Sequence, residues 1–305
     1  MDYKKLVMNA IDSSGFRPSD TAAGYINPTI WNKQVYEFLT EAMVIGKLGD
    51  INTELVGTAG TQLNLTVRST PTAAAATAHS ADSAVSAYAV TQVTSTPSEF
   101  TKGYQLSDAE AIRAFYDVQT DMAKYIGYAM ALGLESDVIT TITSGAGNAV
   151  VANNVIYSNL ASSDTLDQDD VINAVTEIRK DKLFPKYMIL SPAQIGQLSK
   201  TTLFVQTLPQ GGNVDSILGG KIGTMYGMDV YWSTLIAASS NKTKGFVLGV
   251  DMMGKAPFTI VHKKMPTIAT QYFARGRYTD IVGSAEWDVV TVRADGICTL
   301  SSYEA

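Results

Sequence analysis

Residues 107–142 read SDAEAIRAFYDVQTDMAKYIGYAMALGLESDVITTI, and the reading of this stretch decides the fold. Ser107 stands three residues before Glu110, the spacing at which a serine hydroxyl and a glutamate carboxylate satisfy each other's backbone N–H groups at a helix start. Behind it Ile112, Phe115, Met122, Ile126, Ala129 and Val138 recur on a helical period. The stretch is one very long helix or two abutting ones, and it stops at Ser144-Gly145-Ala146-Gly147. A continuous helix of this length would reach roughly 55 Å, longer than an ordinary domain is wide. In a soluble chain without heptads such a helix spans two lobes.

Upstream, residues 51–100 hold only four charged side chains, Glu54, Arg68, Asp82 and Glu99. Gln62 to Val67 alternates polar and apolar, as does Val85 to Val93, so two half-buried strands flank a long tip. The tip, PTAAAATAHSADSA, has almost nothing with which to build a core. An isolated hairpin is marginal in water, so the tip is either disordered in the monomer or laid on a partner. Before it, Val35, Phe38 or Leu39, Ala42 and Ile45 predict an amphipathic helix within Ile30 to Leu48. The first thirty residues, interrupted by Gly15, Pro18, Gly24 and Pro28, read as an extended arm.

Downstream, residues 164–255 alternate helix and strand. Asp164, Asp167, Asp169 and Asp170 crowd the start of a helix with Val171, Val175 and Ile178 on one face and Arg179, Lys180 and Lys182 at its end, as the macrodipole favours. Tyr187 to Leu190 is a short buried strand, and Ser191-Pro192 opens a helix over Ala193 to Lys200. Met225 to Trp232 and Phe246 to Val250 are further strands. Phe258 to His262 and Glu286 to Arg293 follow, and the Asp295-Gly296 turn predicts a hairpin with Ile297 to Leu300. The α/β lobe is thus inserted between the long helix and the terminal strands.

Composition narrows the function. Of 305 residues 17% are charged, against roughly 25% in ordinary soluble domains, and the 15 Tyr outnumber the 9 Phe. Large protein–protein interfaces show this profile, and so does a neutral surface rich in Ser and Thr. Leu6, Val7 and Met8 are too short an apolar run for a secretory signal. Tyr125 to Leu134, the most apolar stretch, is about half the length a membrane span needs. The single Cys298 excludes an intramolecular disulfide, and with two distant histidines it makes no zinc box. The net charge of -6 argues against tight, phosphate-driven nucleic-acid binding.

Motifs for chemistry fail one by one. Gly145-Ala146-Gly147-Asn148-Ala149-Val150 lacks the third glycine of a dinucleotide fingerprint and follows a helix instead of a strand. Gly219-Gly220-Lys221 resembles the end of a phosphate loop, but Asp215 and Ile222 occupy the places of the first glycine and the magnesium-binding hydroxyl. The run Asp164 to Asp170 lacks the glycine turn of a calcium loop, and helix capping accounts for it. His79, in the tip, and His262, in a strand, have no nucleophile or paired carboxylate motif near them. Cys298 reads as a core residue. The sequence therefore assigns no catalytic, cofactor-binding or metal residues, and no cofactor.

The order of parts is arm, helix, charge-poor hairpin, very long helix, inserted α/β lobe and terminal strands. Together with INPTIWNKQVYEFL, ILSPAQIGQLSK and GTMYGMDVYWS it resembles the major capsid protein of tailed double-stranded DNA bacteriophages, the Hong Kong 97-like fold. The resemblance implies an α+β fold with an N-terminal arm at 1–48, an extended β-hairpin loop at 49–104, a peripheral domain with a spine helix at 105–160 and 256–305, and an axial α/β domain at 161–255. It implies a structural protein that assembles as pentamers and hexamers into an icosahedral shell around viral DNA. That DNA would be contacted without sequence preference, and the shell would form part of the virion after assembly in the host cytoplasm. Scaffolding, portal and decoration proteins are the implied partners, with no membrane. Some relatives cross-link a lysine of the extended loop, but residues 51–100 contain none, so the contacts of this loop are expected to be non-covalent. An encapsulin-like compartment enclosing a protein cargo shares the architecture. A soluble α+β enzyme is the reading from a different class, and it would need a site that the motifs do not supply.

Overall fold

The computed structural model describes residues 44–68, 90–114, 117–155, 157–200, 221–236 and 240–304. In chain order the elements are β1 (Asp50–Asn52), β2 (Leu63–Arg68), β3 (Val90–Ser95), β4 (Ser98–Ser107), α1 (Asp108–Arg113), α2 (Val118–Gly145), β5 (Asn148–Val151) and α3 (Gln168–Lys180). They continue with β6 (Phe184–Leu190), α4 (Pro192–Ser199), β7 (Lys221–Met225), β8 (Met228–Trp232), β9 (Lys242–Val250), β10 (Phe258–Phe273), β11 (Tyr278–Thr291) and β12 (Ile297–Tyr303).

The decisive stretch folds as two abutting helices. Ser107 and Glu110 form the expected capping box, and these hydrogen bonds hold the Glu110 carboxyl below its usual range. At Ala114 the backbone turns extended, and Asp117 caps α2 by accepting the Thr120 N–H at 3.3 Å. α2 runs 28 residues, about 42 Å. Its buried side chains Ile126, Met130, Leu134, Val138 and Ile142 fall four residues apart and form one stripe.

That stripe packs on a four-stranded sheet in the order β1-β10-β11-β4. β11 alternates cleanly, with Ile281, Ala285, Trp287 and Val289 buried and Val282 exposed. Gly283 permits the close approach, since a Cβ there would lie 2.3 Å from Ile126 Cγ2. Trp287 stacks on Phe100 at 4.1 Å and donates its indole N–H to Asp137 on α2 at 2.9 Å.

The second sheet has six strands in the order β5-β12-β9-β6-β8-β7. Val171, Val175 and Ile178 of α3 and Leu198 of α4 share a core with Met188, Val230, Val247 and Leu300 of its strands. Both helices carry their expected capping boxes, Asp167 with Asp170 and Ser191 with Gln194, and Pro192 stands in the first turn of α4. A second core joins the stripe of α2 to Ile281 and Trp287 of the first sheet and to Phe246 and Ile297 of the second.

The structure corrects several expectations. Met225 to Trp232 is two strands, turning at Tyr226 and Gly227, whose φ values of 51° and 82° give the left-handed pair of a two-residue hairpin turn. The terminal hairpin does not form: β11 pairs with β10 and β4, whereas β12 pairs antiparallel with β9 and parallel with β5. The reason is local, because the N–H groups of Val292 and Arg293 both bond to the Pro257 carbonyl and a short 3-10 turn at Ala294–Gly296 redirects the chain. The six-stranded sheet thus draws β5 and β12 from either side of the span 161–255. β10 and β11 extend well beyond the expected limits at residues 262 and 286. The helix expected over Ile30 to Leu48 lies outside the described residues except for a 3-10 turn at Gly46–Leu48, and the hairpin tip lies outside them as well.

Candidate assembly surface

Among the described residues β2 and β3 pair only with each other, in the register Leu63↔Ser95, Leu65↔Val93, Val67↔Thr91. Leu63, Leu65, Val67 and Val93 are half-buried, while Asn64, Thr66 and Arg68 are exposed. Two strands with one apolar face are marginal alone in water, so this face needs cover.

Charged side chains of the body fix both roots of this hairpin. The Asp288 carboxylate accepts the Ser95 hydroxyl and the Thr96 N–H, each at 2.8 Å, where β3 passes into β4. The Lys263 ammonium donates to the carbonyls of Thr58, at 3.0 Å, and Gly60, ahead of β2. A third pin lies where residues 1–43 join the body. Glu135, 1% exposed on α2, accepts the N–H groups of Val44, Ile45 and Gly46 at 3.1, 2.7 and 2.9 Å. Just beyond, a Cβ at Gly49 would fall 2.2 Å from the Phe258 ring, so the chain is held between the helix and β10.

An exposed edge lies nearby. Among the described residues β1 pairs with β10 at Thr259 to Val261, and residues 265–272 of β10 are all exposed and carry no charge. Long uncharged edges pair with other chains unless they are blunted, and Pro266 blunts this one at a single point. Met265, Ile268 and Tyr272 add apolar surface along it.

The model of the phage capsid protein family matches residues 90–300, well over half of the chain. The chain belongs to the phage capsid protein family. Its fold is that of solved phage capsids. The capsid of the cyanophage P-SCSP1u matches with a TM-score of 0.70 and 13% identity over 90% of this chain and 92% of that one. A structure from Mycobacterium phage Che8 matches at 0.67 and 15% over 92% and 98%, and the capsid of Helicobacter pylori bacteriophage KHP30 at 0.66 and 9% over 95% and 98%. Among curated proteins none matches. The Hong Kong 97-like architecture expected from the sequence is thus the observed one, and the chain is a structural, major capsid protein; the encapsulin-like reading is not favoured.

In this capsid protein the described residues among those weighed for chemistry cap, end or pack within elements of the fold. Gly145 ends α2 against Thr291, and Asn148–Val151 becomes β5. Gly219, Gly220 and His79 lie outside the described residues, and Lys221 begins β7. Asp164 accepts the Ala161 N–H and the Asn153 amide, which lower its pKa, while Asp167 caps α3. Burial foremost, with the charges of Asp167 and Asp169, pushes Asp170 up to about 6. Buried His262 has an unpartnered Nδ1 and, through desolvation, a lowered pKa. Burial, helped by the charge of Glu177, pushes the Cys298 thiol up to about 12. Among the described residues no three His, Cys, Asp or Glu side chains gather as a metal site, and no helix is long and apolar enough to cross a membrane.

Sequence reasoning missed the three pins and the uncharged edge. Glu135 had a readable signal, standing three and seven residues before Val138 and Ile142 on the buried side of its helix. Asp288 and Lys263 had none, since their partners are far away in sequence.

Proposed function

We propose that copies of this chain close into pentamers and hexamers of an icosahedral shell around double-stranded viral DNA. The observation that carries this is the β2–β3 hairpin, held at both roots by Asp288 and Lys263 yet with its apolar residues Leu63, Leu65, Val67 and Val93 only half-buried among the described residues. A neighbouring subunit supplies the cover. In this reading residues 1–48 are the arm, 49–104 the extended loop, 105–160 with 256–305 the peripheral domain, and 161–255 the axial domain. The chain carries no catalytic residues, metal or cofactor, and its work is to bind copies of itself. Packaged DNA touches it weakly and without sequence preference, consistent with a net charge of -6. Scaffolding, portal and decoration proteins are separate partners, and assembly takes place in the host cytoplasm. Sedimentation and electron microscopy of the purified chain test the reading by asking whether closed particles form.

A further inference from the structure

A cavity of about 590 Å³ opens where the hairpin leaves the body, and three cations from three separate segments line it: Arg68 at the end of β2, Lys255 between β9 and β10, and Arg293 after β11. None of these side chains makes a hydrogen bond or ion pair among the described residues. The two carboxylates of the cavity are turned to backbone instead. Asp50 accepts the Ala256 N–H at 3.2 Å, and Asp251 accepts those of Met253 and Lys255 at 2.8 and 2.9 Å. Neutral N–H donors leave both carboxylates charged, so the cavity holds three cations against two anions, a net positive balance, beside apolar surface from exposed Met253.

Unspent negative charge sits elsewhere on the same chain. Glu99 on β4 and Glu286 on β11 are directly opposite each other in register. Like charges so placed repel, because their Cβ atoms stand only about 5 Å apart. Lys264, aligned with Glu286 on the other side, gives its ammonium to the Ser284 hydroxyl at 2.6 Å. Glu286 precedes Arg293 by seven residues of largely extended chain, on the order of 20 Å, so the acidic pair and the cavity are separate patches of one surface.

We propose that the cation-lined cavity of one subunit receives the Glu99 and Glu286 carboxylates of a second copy of this chain. The occupant follows from charge: the cavity holds three cations against two carboxylates, Glu99 and Glu286 make no ion pair among the described residues, and one chain supplies both patches. Two different patches in contact make a head-to-tail interface, and such an interface generates a ring when its rotation closes. This rests on the shell reading and names a contact within the ring. Charge complementarity of this kind sets register and rejects wrong partners.

The test is charge reversal. Arg68→Glu with Arg293→Glu, and separately Glu99→Lys with Glu286→Lys, should each leave the circular dichroism and thermal transition of the subunit unchanged. Each should lower particle yield by more than about tenfold, since like charges then face each other in every contact. All four changes in one chain restore opposite signs and should restore particles. If reversal misfolds the subunit, Arg68→Gln with Arg293→Gln and Glu99→Gln with Glu286→Gln replace it, and each pair should still lower yield. Normal yield from either folded pair, or no recovery in the folded fourfold variant, overturns the contact. Normal particles with reduced DNA content from the arginine pair would mean that the cavity takes nucleic-acid phosphate, and would overturn it too. Absence of particles from the unaltered chain would remove the shell reading itself.

Discussion

Glu135 Oε1 lies 2.7 Å from the backbone nitrogen of Ile45, ninety residues earlier in the chain. With Val44 and Gly46 also donating, a buried carboxylate holds the first described turn of the chain against the long helix. Replacing it by glutamine keeps the shape, removes the charge and presents an NH2 group to N–H donors. We expect Glu135→Gln to cost on the order of 3 kcal/mol and to speed hydrogen exchange at Val44, Ile45 and Gly46. Unchanged protection at these amides would show that the carboxylate does not hold the segment.

Two glycines should respond oppositely to alanine. A Cβ at Gly283 meets Ile126 at 2.3 Å and Met130 Sδ at 2.9 Å, so Gly283→Ala should lower stability by about 1–3 kcal/mol. At Gly127, in the interior of α2, a Cβ meets nothing within 4 Å, and Gly127→Ala should raise stability by about 0.5–1 kcal/mol. Thermal or denaturant melts of the two variants give the signs; equal effects would contradict the packing of α2 on β11.

His262 is buried with its Nδ1 unpartnered, and desolvation lowers its pKa below 6.5. The folded state therefore binds a proton less readily than the unfolded state. The linked stability is complete above about pH 6.5 and is lost as pH falls below it. Between pH 7.5 and 5.5 the wild-type protein should lose more stability than His262→Gln. Parallel pH profiles in denaturant melts would contradict this.

Cys298 is fully buried in β12, and its thiol is pushed up to about 12, so at neutral pH it is neither exposed nor ionised. Iodoacetamide should label it in denaturant and leave it unlabelled in the folded subunit, as mass spectrometry will read. Rapid labelling of the folded subunit would place β12 at a surface.

What could be read from the sequence was what short-range chemistry writes. Ser107 with Glu110, Asp167 at the head of α3 and Ser191-Pro192 announce their helices, because a cap and its partner lie within one turn. β10 beyond His262 was illegible because it is exposed on both faces, and Pro266 argues against a strand wherever an edge is not known. The turn between β7 and β8 was hidden because Tyr226, not Asn or Asp, takes the first left-handed position. Which sheet β12 joins is decided by β5 and β9, about 150 and 50 residues away. The assembly surface was legible as a hairpin without a core, whereas its pins depend on pairs such as Ser95 and Asp288 that only the fold brings together.

The central claim is that this chain covers its hairpin with a copy of itself in a closed shell. The most direct measurement is sedimentation with electron microscopy of the purified full chain, compared with a variant lacking Thr70 to Ala84 that circular dichroism shows to be folded. The account predicts closed particles from the full chain across a range of salt and pH with scaffold supplied, running as single chains when boiled in detergent, and few or none from the variant. Only monomers or dimers from the full chain, or normal particles from the folded variant, would contradict it.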